Sequence, residues 1–377
     1  MKPQKKVLIT ATVLSHIAQF HKPLADMLHA NGFEVHVAGK DNLALKNGLQ
    51  IDWADKIYDI PFSRSPKSLN NIMAYQQLKN IIGRERYSHI HCNTPMGGIV
   101  TRLAARQQRK VGCKVIYTAH GFHFHKRASR IAWTVYYPIE KYFTKYTDVL
   151  ITINHEDFAI ASTKFKCKTY YTHGVGVNAS RYVPLANEEE RFRICKGLGI
   201  SPDKKVILNV GELLPNKNQK MVIRAMKRIV KEIPDSLLII AGNGPLKEEL
   251  EKYIESNDLS EHIRMIGYCT VLEKYQKIAS VLAACSYREG LPLNIVEAML
   301  AENSIVASHN RGHDELLSHG STGFLVEPDD SEDMAKYIIN LLKEKELRER
   351  LGKNARQFAL DFSFDNVKHE LKEIYGL

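Results

Sequence analysis

Short runs of aliphatic and β-branched residues, each followed by a longer stretch with helical spacing, recur along this chain in two successive series. The first holds "KVLIT" (6–10), "EVHVAG" (34–39), "HIHCN" (89–93), "KVIYTAH" (114–120) and "DVLITIN" (148–154). The second holds "KVILNVG" (205–211), "SLLIIAG" (236–242), "IRMIG" (263–267), "VLAAC" (281–285), "SIVAS" (304–308) and "GFLVE" (323–327). Between them lie helical patterns such as "IVTRLAARQQRK" and "QKMVIRAMKRIVKEI", and one near 16–30 that Asn31-Gly32 stops. Strand, helix, strand in alternation predicts an α/β fold with a parallel sheet and helices on both faces. "HGVGVNASRYVPLAN" (173–187), rich in turn formers, interrupts the pattern before it restarts. Two domains are therefore expected, 1–184 and 185–360, with 361–377 a C-terminal helix placed to pack back on the first. Two such halves put an active site in the cleft between them, at the carboxyl ends of the strands.

The chain has 377 residues, enough for two cores. With 44% apolar and 25% charged residues it is globular, and no stretch reaches the roughly 18 apolar residues of a membrane span. Lys2, Lys5 and Lys6 ahead of "VLITATVLSHIA" resemble a signal peptide, but Thr10, Thr12, Ser15 and His16 break the apolar run, so a buried strand and loop are expected. Six cysteines scattered through the chain form no C-x-x-C pair and fit a reducing cytoplasm. Charge divides unevenly: residues 1–186 carry a net +15 and the remainder −4. That asymmetry points to an anionic partner for the first half, whether nucleic acid, an acidic membrane leaflet or a phosphorylated substrate.

"YREGLPLNIVEAML" (287–300) places Glu289 before a helix and Glu297 about a turn and a half inside it. Pro292 suits the first helical turn, where its missing N–H costs nothing. The free amides of a helix start, with glycine just ahead, suit a phosphate. Carboxylates on either side accept hydrogen bonds from hydroxyls, so a nucleotide-sugar fits, with its diphosphate in the middle.

"EGLPLNIVE" resembles the E-x7-E signature of retaining glycosyltransferases of family 4, which have the GT-B fold: two Rossmann-like parallel-sheet domains facing each other across a cleft. "NVGELLPNKN", "IIAGNGP", "MIGY" and "TGFLVEPDD" resemble the same family in the same order, from about Lys6 to about Ser363. "YTAHGFHFHK" and "YYPIEKYFTKYTDVLITIN" resemble its bacterial exopolysaccharide and capsule branch. The resemblance implies that Glu289 contacts the donor sugar and Glu297 the ribose. It implies that the amides of Gly290, Leu291 and Leu293 hold the diphosphate, with Lys217 neutralising it; with Glu212 in place of a common arginine, Lys217, Arg288 and the helix dipole are expected to carry more of that work, unless Glu212 pairs with a cation. Gly242 and Gly244 would form a tight turn beside the site, and Gly267-Tyr268 would approach the base. His120 would face the reacting sugar, with Ser15, His16 and His123 on the acceptor side. Two features depart from the family: Glu212 stands where an arginine is common, and "TATVLSH" lacks a glycine pair.

No Asp-x-Asp triplet occurs, so Lys217 and helix amides are expected to replace a metal, and neither metal nor cofactor is predicted. His120, His123 and His125 form a weak zinc pattern without a carboxylate. "HKRASRIAWTVYYPIEKYF" reads equally as a core helix or, with its flanking basic residues, as a membrane-interface helix. The leading expectation is a metal-independent hexosyltransferase, retaining, working from a UDP-sugar. Its acceptor would be a polyprenyl-diphosphate-linked sugar or glycan, and it would lie peripherally on the inner, anionic face of the cell membrane. An epimerase of the same fold and a basic nucleic-acid binder are the alternatives. The latter lacks a recognisable motif, so no nucleic acid is expected.

Overall fold

A computed structural model of the chain describes residues 5–45, 48–126 and 128–377. They form two units, Met1–Gly176 with Phe364–Leu377, and Val177–Ser363.

The first unit is built on β1 (Lys5–Val13), β2 (Phe33–Lys40), β3 (Lys56–Asp59), β4 (His89–Asn93), β5 (Lys114–Ala119), β6 (Val149–Thr152) and β7 (Lys168–Tyr171). They lie in the order β3-β2-β1-β4-β5-β6-β7, every pair parallel. Residues 7–12 of β1 are buried throughout, as a central strand covered on both faces requires. β3 and β7, the two edges, were not anticipated. "KIYD" and "KTYY" have no buried residue and no apolar run to announce them. The helix expected at 16–30 is two, Leu14–Phe20 and Lys22–Ala30, broken at His21. Pro23 sits in the first turn of the second, where its missing N–H is harmless.

The helix Phe364–Tyr375 completes this unit. Ile374 and Tyr375 enter the core beside Ile116 and Val149. Side chains of that size contribute at most about 1.5–3 kcal/mol each on burial. Polar contacts fix the helix further: Lys114 Nζ donates to the Ile374 carbonyl (2.7 Å), and Glu370 accepts from the His173 amide (3.0 Å).

The second unit holds β8 (Lys205–Val210), β9 (Ser236–Ala241), β10 (Ile263–Gly267), β11 (Ala279–Ala284), β12 (Ser304–Ser308) and β13 (Phe324–Val326). Their order is β10-β9-β8-β11-β12-β13, again all parallel. Both sheets reverse their winding next to the first strand of the unit, between β1 and β4 and between β8 and β11. At such a point the connections leave in opposite directions and open a crevice at the carboxyl ends of the strands.

The helix Arg130–Phe143 has no buried residue, which disposes of its reading as a core helix. Its inner side is anchored: Trp133 and Tyr137 pack on Phe122, Phe124 and Phe165, and Glu140 accepts from the buried Arg102 at 3.1 Å. Ile131, Val135, Ile139 and Tyr142, at helical spacing, are exposed on it.

Candidate functional site

In the second unit the residues expected from sequence follow β8, β9, β10 and β11, and the loops after β8 and β11 are tied to each other. The loop after β8 ends in a single turn, Pro215–Lys217, and Asn218 then takes a left-handed conformation (φ +48°) to start the helix Gln219–Glu232. Asn218 Nδ2 donates to Asp329 Oδ1 (3.0 Å), which also accepts from the Tyr287 hydroxyl (2.7 Å). Asn216 joins the two loops directly, its carbonyl accepting from the Tyr287 amide (2.9 Å) and its Nδ2 donating to the Arg288 carbonyl (2.9 Å). So braced, Lys217 Nζ reaches Glu289 Oε1 at 2.6 Å. Both side chains are half-buried, and a charge-assisted bond of that length is among the stronger ones.

The helix after this loop is Leu293–Leu300, with Pro292 as its cap and Asn294 Nδ2 tied to the Val210 carbonyl (2.9 Å). Its first amides have no intrahelical acceptor, as in any helix. Two glycines let neighbouring loops approach. A Cβ on Gly242 (φ +151°) would fall 1.9 Å from the Gly211 carbonyl oxygen, and one on Gly244 2.5 Å from that of Leu213. Their demand is steric, so no ligand is needed to explain them. Gly267 ends β10 and Tyr268 beyond it is exposed, as are Arg288 and Glu212.

Glu297 faces different surroundings. Burial pushes its carboxyl up to about 7, against the pull of the Tyr182 hydroxyl and the Arg181 guanidinium. Arg181 is held by Glu273 Oε2 (2.9 Å) and the Thr270 carbonyl (3.0 Å). Burial pushes Tyr182 up as well. One glutamate of the pair is thus matched with a cation, and the other stands close to half-protonated at neutral pH.

In the first unit, three histidines meet beyond the carboxyl ends of β1 and β5. The His16 ring lies edge-on to His120 with centroids 4.8 Å apart, and His21 is 5.4 Å from His16. Burial drives the imidazoles of His16 and His21 well below their usual range and that of His120 down to about 4. All three rings are therefore neutral at physiological pH, each with one lone pair. Asn93 sets the tautomer of His120. Its Nδ2 donates to the Thr10 carbonyl (3.3 Å), leaving Oδ1 to accept from His120 Nε2 (3.1 Å). His123 is placed elsewhere, stacked on Tyr136 at 4.6 Å. Ser15 is occupied by Asn42, whose Nδ2 donates to its Oγ (2.9 Å).

Sequence reasoning missed several contributors. His21 carried a signal, five residues after His16 and two before a proline, but not a periodic one. Asp329 lies in "EPDD", and Tyr182 in the stretch expected to be linker. Gly312 gave no signal: a Cβ there would meet the Glu289 Cβ at 2.7 Å, so its bareness seats the glutamate loop. Asn310 caps the turn that carries it, accepting from the Gly312 and His313 amides at 3.0 Å each.

This architecture of two doubly wound parallel sheets is that of GT-B glycosyltransferases. A family model for "Glycosyl transferases group 1" matches residues 190–358, and one for "Glycosyl transferase 4-like" matches residues 7–154. The proposed glycosyltransferase EpsD of Bacillus subtilis (strain 168) is 39% identical over 374 residues, 99% of this chain and 96% of its own. An Escherichia coli UDP-Gal:α-D-GlcNAc-diphosphoundecaprenol α-1,3-galactosyltransferase is 26% identical over 358 residues, covering 93% of this chain and 90% of that one. Among solved structures, HepE from Anabaena in complex with UDP and glucose shares the fold, with a TM-score of 0.77 at 18% identity over 99% of both chains. The chain belongs to this glycosyltransferase family, as "EGLPLNIVE" and its companions imply.

Proposed function

We propose that this protein is a retaining, metal-independent transferase that moves a hexose or N-acetylhexosamine from a UDP-sugar to a lipid-linked or glycan acceptor in cell-surface polysaccharide synthesis. The observation that carries the reading is the assembly of Lys217, Glu289 and the start of the helix Leu293–Leu300 at one switch point. The diphosphate binds the amides of Gly290, Leu291 and Leu293, and Lys217 exchanges Glu289 for it. Glu289 is then released to accept from sugar hydroxyls, and Glu297 accepts from the ribose. The bond from the anomeric carbon to the phosphate oxygen breaks while the acceptor oxygen bonds the same face. The departing phosphate oxygen takes the acceptor proton, leaving UDP and the glycoside. Stabilising that departing charge is the main electrostatic task. The names of the E. coli relative and of the UDP-bound Anabaena neighbour support the donor and the lipid-diphosphate acceptor.

The exposed stripe on Arg130–Phe143, flanked by Lys126, Arg130, Lys141 and Lys145, supports docking on the anionic cytoplasmic leaflet where such an acceptor sits. Arg127 lies outside the described residues. Among the described residues no helix is long and apolar enough to cross a membrane.

A thermal-shift screen of nucleotides and nucleotide-sugars tests the donor. Ligand at about 100 Kd adds roughly 2.7 kcal/mol. Incubation of the stabilising sugar nucleotide with a polyprenyl-diphosphate-sugar should give a glycoside whose anomeric configuration, by NMR, matches the donor. An inverted product overturns the retaining mechanism. Epimerised sugar nucleotide from donor alone would favour an epimerase.

A further inference from the structure

His16 and His21, on one short helix and its C-cap, meet His120 from beyond β5 and bring one ring nitrogen each within 4.8 Å of the others. Nε2 of both His16 and His21 is buried with no hydrogen-bond partner. That is a costly state for a polar atom. The neighbouring His91 shows what a structural histidine looks like here: Nδ1 bonds the Tyr375 hydroxyl (2.9 Å) and Nε2 the Thr118 hydroxyl (2.7 Å). His120 is prepared in another way, because Asn93 Oδ1 accepts a hydrogen bond from its Nε2–H and leaves Nδ1 with the lone pair. A polar second partner that fixes the tautomer is the usual companion of a metal-ligating imidazole.

The spacing fits as well. A zinc ion bonded at about 2.1 Å stands about 3.2 Å from each ring centre, so tetrahedral ligands have centres roughly 5 Å apart. The centroids lie 4.8, 5.4 and 6.4 Å apart, and only the His21–His120 side has to close. Three imidazoles without a carboxylate suit zinc and its neighbours and do not suit Mg²⁺ or Ca²⁺, which need oxygen ligands. The Arg64 charge near His16 opposes any cation and should hold affinity below that of structural zinc sites.

We propose that His16, His21 and His120 bind a borderline-soft divalent metal ion, Zn²⁺ foremost, with solvent as fourth ligand, and that the bound ion inhibits transfer by occupying His120. The inhibition rests on the transferase reading above, whereas the site itself does not. The ion takes no part in the diphosphate chemistry.

Co²⁺ and Zn²⁺ titrated into the full-length protein, Zn²⁺ in competition with a chromophoric chelator, provide the test. One ion should bind, giving visible d–d bands without a thiolate charge-transfer band. His21→Gln and His16→Gln should each weaken binding at least tenfold, and Asn93→Ala about 10–100-fold. Should His21→Gln fail to fold, His16→Gln decides the matter alone, since His16 as a residue is partly exposed whereas His21 is buried. No binding, a thiolate band, or unchanged affinity in His16→Gln overturns the site. In transfer assays EDTA should leave the rate unchanged, and Zn²⁺ should inhibit over the concentration range in which it binds. Binding without inhibition overturns the inhibitory role and leaves the site standing. Absence of any transfer would overturn the transferase reading while the binding data retained their meaning.

Discussion

The two units share a topology and each gathers polar groups beyond its first strand, in one with the adjacent strand across the switch point and in the other with the strand one further out, yet the chemistry assembled there is opposite. Beyond β8 and β11 stand a paired lysine and glutamate, 2.6 Å apart. Beyond β1 and β5 stand neutral imidazoles, two of them with unpartnered nitrogens. The winding of the sheet fixes where a site forms, and the loops decide what it is. A charged pair at rest can take an anion only by exchanging partners, which suits a ligand that brings two negative phosphates and a set of hydroxyls. A neutral cluster attracts no anion. It suits hydroxyl donors or a cation. The surplus of +15 in the first half therefore belongs to its surface and not to this site.

The largest effects should come from breaking the charged pair. Lys217→Ala should lower kcat by about 10²–10³, the cost of removing one preorganised partner of a developing oxyanion, and should weaken UDP binding too. Glu289→Ala should also abolish most transfer, but UDP should bind at least as tightly, because Lys217 is then free for the diphosphate. Calorimetry with UDP separates the two. Weaker UDP binding in Glu289→Ala would mean that the pair is structural. The matching change in the neutral cluster, His120→Ala, should reduce kcat about tenfold or more with the UDP Kd unmoved.

Much of the second unit was legible in sequence, because its strands are unbroken apolar runs and E-x7-E lies within fourteen residues. The pair itself was not, since Lys217 and Glu289 are 72 residues apart and only the parallel pairing of β8 with β11 brings them together. Edge strands β3 and β7 escaped for the opposite reason: half-exposed edges need no apolar signature. In the first unit the histidine cluster depends on a break at His21 between two short helices. Periodicity had merged them into one, and so "HGFHFHK" drew attention to His123 and His125 instead. The resemblance to a known family supplied roles that spacing could not, and it was silent on His21, Asp329 and Gly312.

A smaller effect separates the two glutamates. Glu297, held near 7 by burial, favours its proton in the folded state. A raised folded value means a contribution that is full below the unfolded carboxyl range, near 4.5, and is lost as pH rises through about 7. Glu297→Gln should therefore match the wild type at pH 4.5 and exceed its stability at pH 8, by a difference on the order of 3 kcal/mol. Chemical denaturation at the two pH values measures this. Equal stability at pH 8 would mean that Arg181 and Tyr182 fully compensate the charge. Glu297→Ala should weaken UDP binding by about 1.5–3 kcal/mol, the loss of hydrogen bonds to a charged group.

The smallest effect per residue should lie on the surface that carries the surplus charge. Each basic side chain near an anionic leaflet contributes about 1 kcal/mol, and the attraction fades within a Debye length of roughly 8–10 Å. Lys126, in the turn ahead of the helix, and Arg130, at its start, adjoin a stripe in which Ile131 is 74% and Tyr142 52% exposed, so charge and apolar surface act side by side. Co-sedimentation should be strong with anionic vesicles, weak with neutral ones and lost at high salt. Reversing Lys126 and Arg130 to glutamate should weaken it by at least tenfold, while Ile131→Asp should reduce what binding survives at high salt. Neither change touches the donor loops, so UDP affinity should stay put. Equal binding to neutral and anionic vesicles would leave the stripe as the only anchor and remove the role given to the charge. Binding to neither would point to a soluble glycan acceptor, and the surplus of +15 would need another anionic partner.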